Sequence, residues 1–262
     1  MAGLLEALGR ARVFDLEQLR YAGAPSHPAH LPGFNYFLHR HHARGAGEAR
    51  TGASGIVVMP EHSGTHIDAL AHQAENLILH GGVHVDEGVQ TSVGFRVLGI
   101  DTMAPLVSRG VLLDVAGPKR LAPEHSITVD ELERAARAAR IEIQQGDVVL
   151  VRTGYGALWS EPAEYLRGAG VSAAGSSWLI DKKVSAVGAD NMAWDVIGPT
   201  DPELGVTLPG HILLLVRAGI PIIENLNLEE LAAAKVHEFA FVCLPLKMRG
   251  ATGSPVRPIA LA

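Results

Sequence analysis

Two histidines and an aspartate lie within the seven residues from His62 to Asp68. The four-residue spacing of His62 and His66 would fit one face of a helix, but the Ser-Gly-Thr run between them is poor helix material. In an extended chain, residues 62, 64, 66 and 68 share one face. Gly64 would then leave room for an ion, on which His62, His66 and Asp68 would converge. Two imidazoles and a carboxylate suit a divalent ion such as Zn²⁺, Mn²⁺ or Fe²⁺.

A second pair of candidate ligands, His211 and Glu224, lies far along the chain. Pro209 suits the first turn of a helix that we expect to run to about residue 218, with Gly219 as its stop. The strand that follows ends at Glu224. Because a helix and the strand after a tight turn run antiparallel, His211 and Glu224 should meet at one edge of the fold. The five residues together would suffice for two ions, with Asp68 as the bridging carboxylate.

The elements that must position these residues alternate between helix and strand in the second half, which predicts an α/β fold. Thr128 and Glu131 have the spacing of a capping box at the start of one helix. We expect helices at residues 1–8, 128–140, 176–182, 209–218 and 227–235. We expect strands at residues 13–16, 55–60, 111–115, 148–151, 185–189, 221–224 and 237–246.

Residues 21–55 are rich in Gly, Pro, His and Ala and show no period, so we expect a long irregular segment. Its aromatic and histidine side chains would line a pocket, contact a second subunit, or pack on the core of their own chain. The same choice between pocket and core is open for Trp159, Trp178 and Trp194. The residues in question within the segment are Phe34, Tyr36, Phe37, His39, His41 and His42.

Composition restricts the function classes. The 262 residues fit one domain, residues 1–262, and 47% hydrophobic residues allow a sizeable core. A net charge of −6 without a basic run argues against nucleic acid or an anionic membrane as partner. We expect no membrane span and no secretory signal. The single cysteine, Cys243, lies in an apolar run and is expected to be a core thiol in a cytoplasmic protein.

The segment from His62 to His72 closely resembles the signature H-x-G-T-H-x-D-x-P-x-H of the cyclase-like metal-dependent hydrolases, which include kynurenine formamidases, isatin hydrolase and a trans-dienelactone hydrolase. Leu70 stands where that signature has proline. Three further blocks of the sequence resemble segments of the same family, so the resemblance covers roughly residues 55–262. These blocks are residues 188–190, residues 211 and 221–226, and residues 245–257.

The resemblance implies a role for each matching residue. His62, His66 and Asp68 would be metal ligands, and His211 and Glu224 would complete a second metal position in members that hold two ions. His72 would be the general acid and base. The family fold is a swivelling β/β/α arrangement that assembles into dimers or tetramers. The expected activity is opening of an amide, cyclic imide or lactone bond of a small substrate by metal-activated water, with one or two Zn²⁺ or Mn²⁺ ions.

Other functions fit the same residues. The chain could be an arylformamidase like kynurenine formamidase, a metal-dependent lyase or dehydratase, or a metal or small-molecule binding protein without catalysis. His72 argues against the last, because a structural metal site needs no further polar group. The long segment before the motif favours a cyclic amide, imide or lactone over a simple arylformamide. No G-x-S-x-G, P-loop or G-x-G-x-x-G motif is present, which disfavours serine hydrolases and nucleotide-binding enzymes.

Overall fold

The computed structural model describes residues 2–43 and 48–262, and within them the chain forms seventeen strands and six α-helices. The strands are β1 (Val13–Asp15), β2 (Asn35–Arg40), β3 (Ser54–Val58), β4 (His66–Asp68), β5 (Ile78–Leu79), β6 (Val83–His84), β7 (Gln90–Thr91), β8 (Gly94–Phe95), β9 (Leu106–Asp114), β10 (Ser126–Ile127), β11 (Val148–Arg152), β12 (Gly170–Val171), β13 (Ala186–Ala189), β14 (Ile222–Glu224), β15 (Glu238–Cys243), β16 (Gly253–Pro255) and β17 (Ile259–Leu261). The helices are α1 (Ala2–Arg10), α2 (Val129–Ala139), α3 (Pro162–Tyr165), α4 (Ala173–Asp181), α5 (Pro209–His211) and α6 (Glu229–Ala233).

Nine of these strands form one mixed sheet in the order β1-β17-β15-β9-β11-β13-β14-β4-β16. The four central strands, β9, β11, β13 and β14, are parallel to one another. The strands outside them pair antiparallel on both sides. Every residue of β11 and β13 is buried, as expected of parallel strands covered on both faces. The expected α/β class and the β/β/α arrangement are thus confirmed.

A hydrophobic core packs against each face of this sheet. Along β9 and β11, alternate residues face opposite sides because side chains in a strand have a period of two. Leu112 and Leu150 belong to the core that also contains Phe241. Val111 and Val149 belong to the other core, which is covered by helices α2 and α4. Burial on both faces fixes the register of the central strands, and with it the positions of the residues at their ends.

The helix expected after Pro209 is present, but its geometry differs from the expectation. The α-helical turn of α5 continues as a π-helix from Ile212 to Ala218 and stops at Gly219, whose φ is 72°. The wider π turns are rare in proteins and are frequently found at functional sites. The apolar period of the sequence predicts a helix here, but it does not distinguish α from π geometry.

Several other expected elements are confirmed, with corrections at their ends. Thr128 caps α2, and both hydrogen bonds of the capping box with Glu131 are present. Strand β9 begins at Leu106, five residues before the expected start. Its first half contains the polar residues Ser108 and Arg109, which nevertheless pair with β15. Strand β15, expected at residues 237–246 as the last strand, spans residues 238–243, and β16 and β17 follow it. Position 1 of the first expected helix lies outside the described residues.

The expectation of irregular chain over residues 21–55 is wrong in part. A 3₁₀ turn spans Pro28–His30, and β2 pairs antiparallel with β3 in a separate two-stranded ribbon. Strand β3 therefore leads into the histidine motif without joining the main sheet. Residues 44–47 lie outside the described part of the chain. Among the described residues, no helix has the length and apolar character needed to cross a bilayer.

Candidate metal centre

Strand β4 lies between β14 and β16 and carries part of the histidine motif. Its antiparallel register with β14 places His66 directly opposite Glu224. Side chains opposite each other in such a pair share one face and lie close together. His66 Nε2 is accordingly 3.3 Å from Glu224 Oε2 and 3.5 Å from Asp68 Oδ1. Ile67, between His66 and Asp68 in β4, points to the other face and into the core, which anchors the strand.

The segment from His62 to Gly64 is not extended, contrary to the expectation from spacing. Gly64 has a φ of 64°, in the left-handed region that favours glycine. A Cβ at this position would lie 2.5 Å from Nη1 of Arg20. The Arg20 guanidinium donates to the carbonyl oxygens of Ser63 and Thr65 on either side. The glycine thus serves the turn and the close approach of Arg20, and it does not make room for an ion.

The turn nevertheless returns His62 to the other candidate ligands. His62 Nδ1 is 2.8 Å from Asp68 Oδ1, and His62 Nε2 is 2.8 Å from Thr252 Oγ1. Donor atoms of His62, His66 and Asp68 lie within 4.8 Å of one another. The three residues that the spacing selected therefore converge, although through a glycine turn.

His211 approaches the same point from α5. Its Nε2 is 3.2 Å from Glu224 Oε1 and 3.7 Å from Asp68 Oδ2. The prediction that an antiparallel helix and strand would bring His211 to Glu224 is confirmed. On the other side of the ring, His211 Nδ1 lies 2.9 Å from Asp195 Oδ2. Asp195 is not among the residues predicted from the sequence, because no motif surrounds it that would select it.

Hydrogen bonds fix which nitrogen of two imidazoles faces the site. His66 Nδ1 donates to the Gly64 carbonyl at 2.8 Å, and Asn225 Nδ2 donates to the same oxygen at 3.0 Å. His211 is held in the same way by Asp195. Each ring therefore presents Nε2 to the centre, and such outer partners commonly orient metal-ligating histidines in proteins.

The donor set fits a divalent ion. Asp68 Oδ2 and Glu224 Oε1 are buried and have no hydrogen-bond partner among the described residues. Buried carboxylate oxygens without a partner are costly unless a cation satisfies them. Ligands about 2.1 Å from a tetrahedral ion lie roughly 3.4 Å from one another. The contacts of the His66 and His211 Nε2 atoms with these carboxylates, from 3.2 to 3.7 Å, agree with that spacing.

Burial and neighbouring charges separate the titration of the histidines. Burial lowers the pKa of His62 to about 3, helped by repulsion from His66, and burial also lowers the pKa of His72 to about 3. Burial opposes protonation of His66 too, but the neighbouring carboxylate of Glu224 raises its pKa. The pKa of His211 is raised in the same way, against burial, by Asp195 and Glu224.

A cavity of about 480 Å³ opens beside these residues. His72 lines it, with a ring centroid 3.9 Å from that of His62, and its ring makes no hydrogen bond to a described residue. Leu70, at the position of the family's proline, packs partly buried against the helix-covered core. The backbone still turns towards His72, whose N–H donates to the carbonyl of Ala69 at 2.9 Å.

The aromatic residues singled out in the sequence do not line this cavity among the described residues. Tyr36 and Phe37 are exposed on the β2–β3 ribbon, and Trp194 is fully buried in the core. The segment before the ribbon instead contributes His27 and His30. Neither histidine is among the residues predicted from the sequence, although the two histidines within residues 27–30, with Pro28 between them, are a visible signal.

Comparisons with known proteins identify relatives of this chain. The family model Cyclase, described as "Putative cyclase", matches residues 14–196, more than half of the chain. Cyclase-like protein 3 of Oryza sativa subsp. japonica is 28% identical over 208 residues, 77% of this chain and 63% of that protein. The chain thus spans less than two thirds of that relative.

Two further proteins are similar over most of the chain. Isatin hydrolase of Roseibium aggregatum is 27% identical over 216 residues, 78% of this chain and 73% of that protein. A crystal structure described as a novel cyclase has a TM-score of 0.84 at 25% identity, and the match covers 100% of this chain and 90% of that one. Sequence, fold and the histidine motif agree, and the chain belongs to the cyclase family.

Proposed function

We propose that the protein is a metal-dependent hydrolase that opens an amide, cyclic imide or lactone bond of a small substrate. The observation that carries the proposal is the pair of buried oxygens, Asp68 Oδ2 and Glu224 Oε1, without hydrogen-bond partners among the described residues. Glu224 also lines the open cavity, so a cation bound there would be accessible to a substrate. The similarity to isatin hydrolase supports the same activity.

His62, His66 and Asp68 would hold one divalent ion, and His211 and Glu224 would complete a second position that shares Asp68. Imidazole nitrogen together with carboxylate oxygen suits Zn²⁺ or Mn²⁺. Such an ion supplies a Lewis acid for the substrate carbonyl and lowers the pKa of water. The protein fixes the ligands beforehand, through the Gly64 carbonyl on His66 and Asp195 on His211.

We propose His72 as the group that moves the proton. Its ring reaches the cavity beside His62 and is not engaged by another described residue. Burial keeps this ring unprotonated, so a free ring nitrogen can accept a proton from the attacking water and return it to the leaving nitrogen or oxygen. Proton transfer of this kind contributes about 10²- to 10⁴-fold to rates.

The first test is the metal content of untagged protein purified without chelator, followed by a screen of lactones, cyclic imides and formamides in oxygen-18 water. We expect one or two equivalents of metal and the heavy oxygen in the new carboxylate. Failure to bind any metal would refute the proposal. Turnover without the label would identify a lyase, metal without turnover a binding protein, and a preference for aryl formamides an arylformamidase.

The variant His72→Ala separates the proton-transfer role from metal binding. It should keep the metal content of the wild type and lose turnover by about 10²-fold or more. The variant Asp68→Asn should lose metal and turnover together. Wild-type rates in His72→Ala would contradict its role, and unchanged metal content in Asp68→Asn would contradict ligation by that carboxylate.

We also propose that the protein is a homodimer or homotetramer in the cytoplasm. The support for self-association is the β2–β3 ribbon, which leaves several large apolar side chains about half exposed. Exposed apolar patches of this kind commonly mark protein interfaces. Light scattering after chromatography would measure the mass of the assembly. We expect Phe37→Lys, on the ribbon, to lower that mass, and Val93→Lys, at an exposed position elsewhere, to leave it unchanged as the control. The ribbon residues are Tyr36, Phe37, Leu38, Ile56, Val57 and Val58.

A further inference from the structure

The segment before the β2–β3 ribbon places two histidines over the candidate metal centre. His27 Nδ1 accepts a hydrogen bond from the N–H of Ala29 at 3.2 Å, which caps the 3₁₀ turn Pro28–His30. The ring of His30 stacks on that of His62 with centroids 4.9 Å apart and planes inclined by 26°. It also lies 6.0 Å from the ring of His72. Both His27 and His30 therefore hold defined positions on the cavity wall.

Apart from imidazoles, the ionisable side chains described around this cavity are acidic. None of the described residues that line it is a lysine or an arginine. The carboxylate of Glu224 lines it, and Asp68 lies within 3.7 Å of the lining residue His211. The remaining polar groups on the wall are imidazoles, the amide of Gln73 and the hydroxyl of Thr207.

The rest of the wall is apolar and close to the histidines. It would pack against a compact ring, and it offers no hydrogen bond from a side chain. These residues are Ala29, Ala74, Met192, Ala193, Val206, Leu208 and Ile212.

We propose that His27 and His30 form a hydrogen-bonding wall for an uncharged substrate, so that the pocket selects compact neutral lactones, cyclic imides or amides over substrates with a free carboxylate. This inference rests on the proposed hydrolase function and adds the substrate class. An imidazole N–H can donate to a second carbonyl oxygen of a neutral ring. One divalent ion would have its charge balanced by the carboxylates of Asp68 and Glu224, so a free carboxylate on the wall would be desolvated without a guanidinium or ammonium partner, which is strongly unfavourable.

The test compares probes that differ only in charge. Phthalimide derivatives with a 4-carboxylate or a 4-carboxamide have almost the same shape, and so do N-formylanthranilate and 2-formamidobenzamide. With metal-loaded wild-type protein, we expect kcat/KM for each carboxamide to exceed that for its carboxylate partner by about 100-fold, which corresponds to about 2.8 kcal/mol. Using two kinds of scissile bond separates the effect of charge from the preference for an imide or a formamide.

Two variants assign the selectivity to the wall. His30→Arg should reduce the preference for the carboxamide by about tenfold or more, because it supplies the missing cation. His30→Ala should raise KM for the neutral probes with a smaller effect on kcat, and its metal content should equal that of the wild type. His84, exposed on β6, provides matched controls, and His84→Arg and His84→Ala should leave the preference unchanged.

The outcomes are distinguishable from those of the proposed function. Hydrolysis of the carboxylate probes as fast as the carboxamides, or an unchanged preference in His30→Arg, would overturn the inference and leave the hydrolase proposal standing. No turnover of any of the four probes, nor of simple lactones, by metal-loaded protein would defeat the proposed function and the inference with it.

Discussion

The variant Gly64→Ala tests how the metal motif is held. The wild-type residue has a φ of 64°, and a Cβ there would lie 2.5 Å from Arg20 Nη1. The left-handed conformation costs a residue with a Cβ about 1–2 kcal/mol. Arg20 must also move away from the Ser63 and Thr65 carbonyl oxygens, and hydrogen bonds to charged groups contribute about 1.5–3 kcal/mol each.

The expected loss of stability is the sum of the cost of the left-handed conformation and the loss of the Arg20 hydrogen bonds. The Arg20 side chain is 14% exposed, so water replaces part of the lost hydrogen bonding. Counting the two bonds at half weight, we expect Gly64→Ala to lower the free energy of unfolding by about 2.5–5 kcal/mol. Because His62 and His66 flank the turn, the affinity for Zn²⁺ should fall as well. Urea denaturation of metal-free protein measures the first effect, and calorimetric titration with Zn²⁺ measures the second.

Two controls isolate the contact with Arg20. Gly81 has a similar φ of 73°, but a Cβ there would meet nothing within 4 Å, so Gly81→Ala should cost only the conformational part, about 1–2 kcal/mol. In an Arg20→Ala background, Gly64→Ala should also cost only that part. Equal losses of stability in Gly64→Ala and Gly81→Ala, or an unchanged cost in the Arg20→Ala background, would refute the reasoning.

Three further predictions concern other parts of the chain. Asp195→Asn should weaken Zn²⁺ binding about 10- to 100-fold, because His211 loses the charged partner of Nδ1; competition with a chelator measures this, and an unchanged Kd would contradict it. Thr128→Ala should lower the free energy of unfolding by about 1 kcal/mol at pH 7. Burial opposes ionisation of Glu131, but its hydrogen bonds with Thr128 lower its pKa, so this contribution is present above the unfolded pKa and lost as pH falls through the folded one. Denaturation at pH 7 and in acid, with Glu133→Ala, outside the capping box, as control, should show that the stability difference between Thr128→Ala and the wild type shrinks in acid; a constant difference would argue against the capping box. Burial raises the pKa of the Cys243 thiol to about 12, so a thiol reagent at pH 8 should label it only as fast as the protein unfolds, and rapid labelling of native protein would show that the thiol is accessible.

The sequence alone was sufficient to select the residues of the candidate centre. The short spacing of His62, His66 and Asp68 is a local property, and the three side chains converge even though the chain turns at Gly64 instead of running extended. The pairing of His211 with Glu224 followed from connectivity, because a helix and a strand joined by a tight turn must run antiparallel. Amphipathic periods, apolar runs and the Thr128 cap likewise predicted five of the six described α-helices, but only seven of the seventeen described strands.

The surroundings of those residues depended on tertiary structure. Arg20, Asp195 and His30 each act on the centre from another element, and no local pattern relates them to the residues that they contact. Their placement follows from β4 lying between β14 and β16, and from the turn before the β2–β3 ribbon packing over His62. Local sequence determines which side chains can bind an ion, whereas long-range strand register and packing determine what holds those side chains and what faces the substrate.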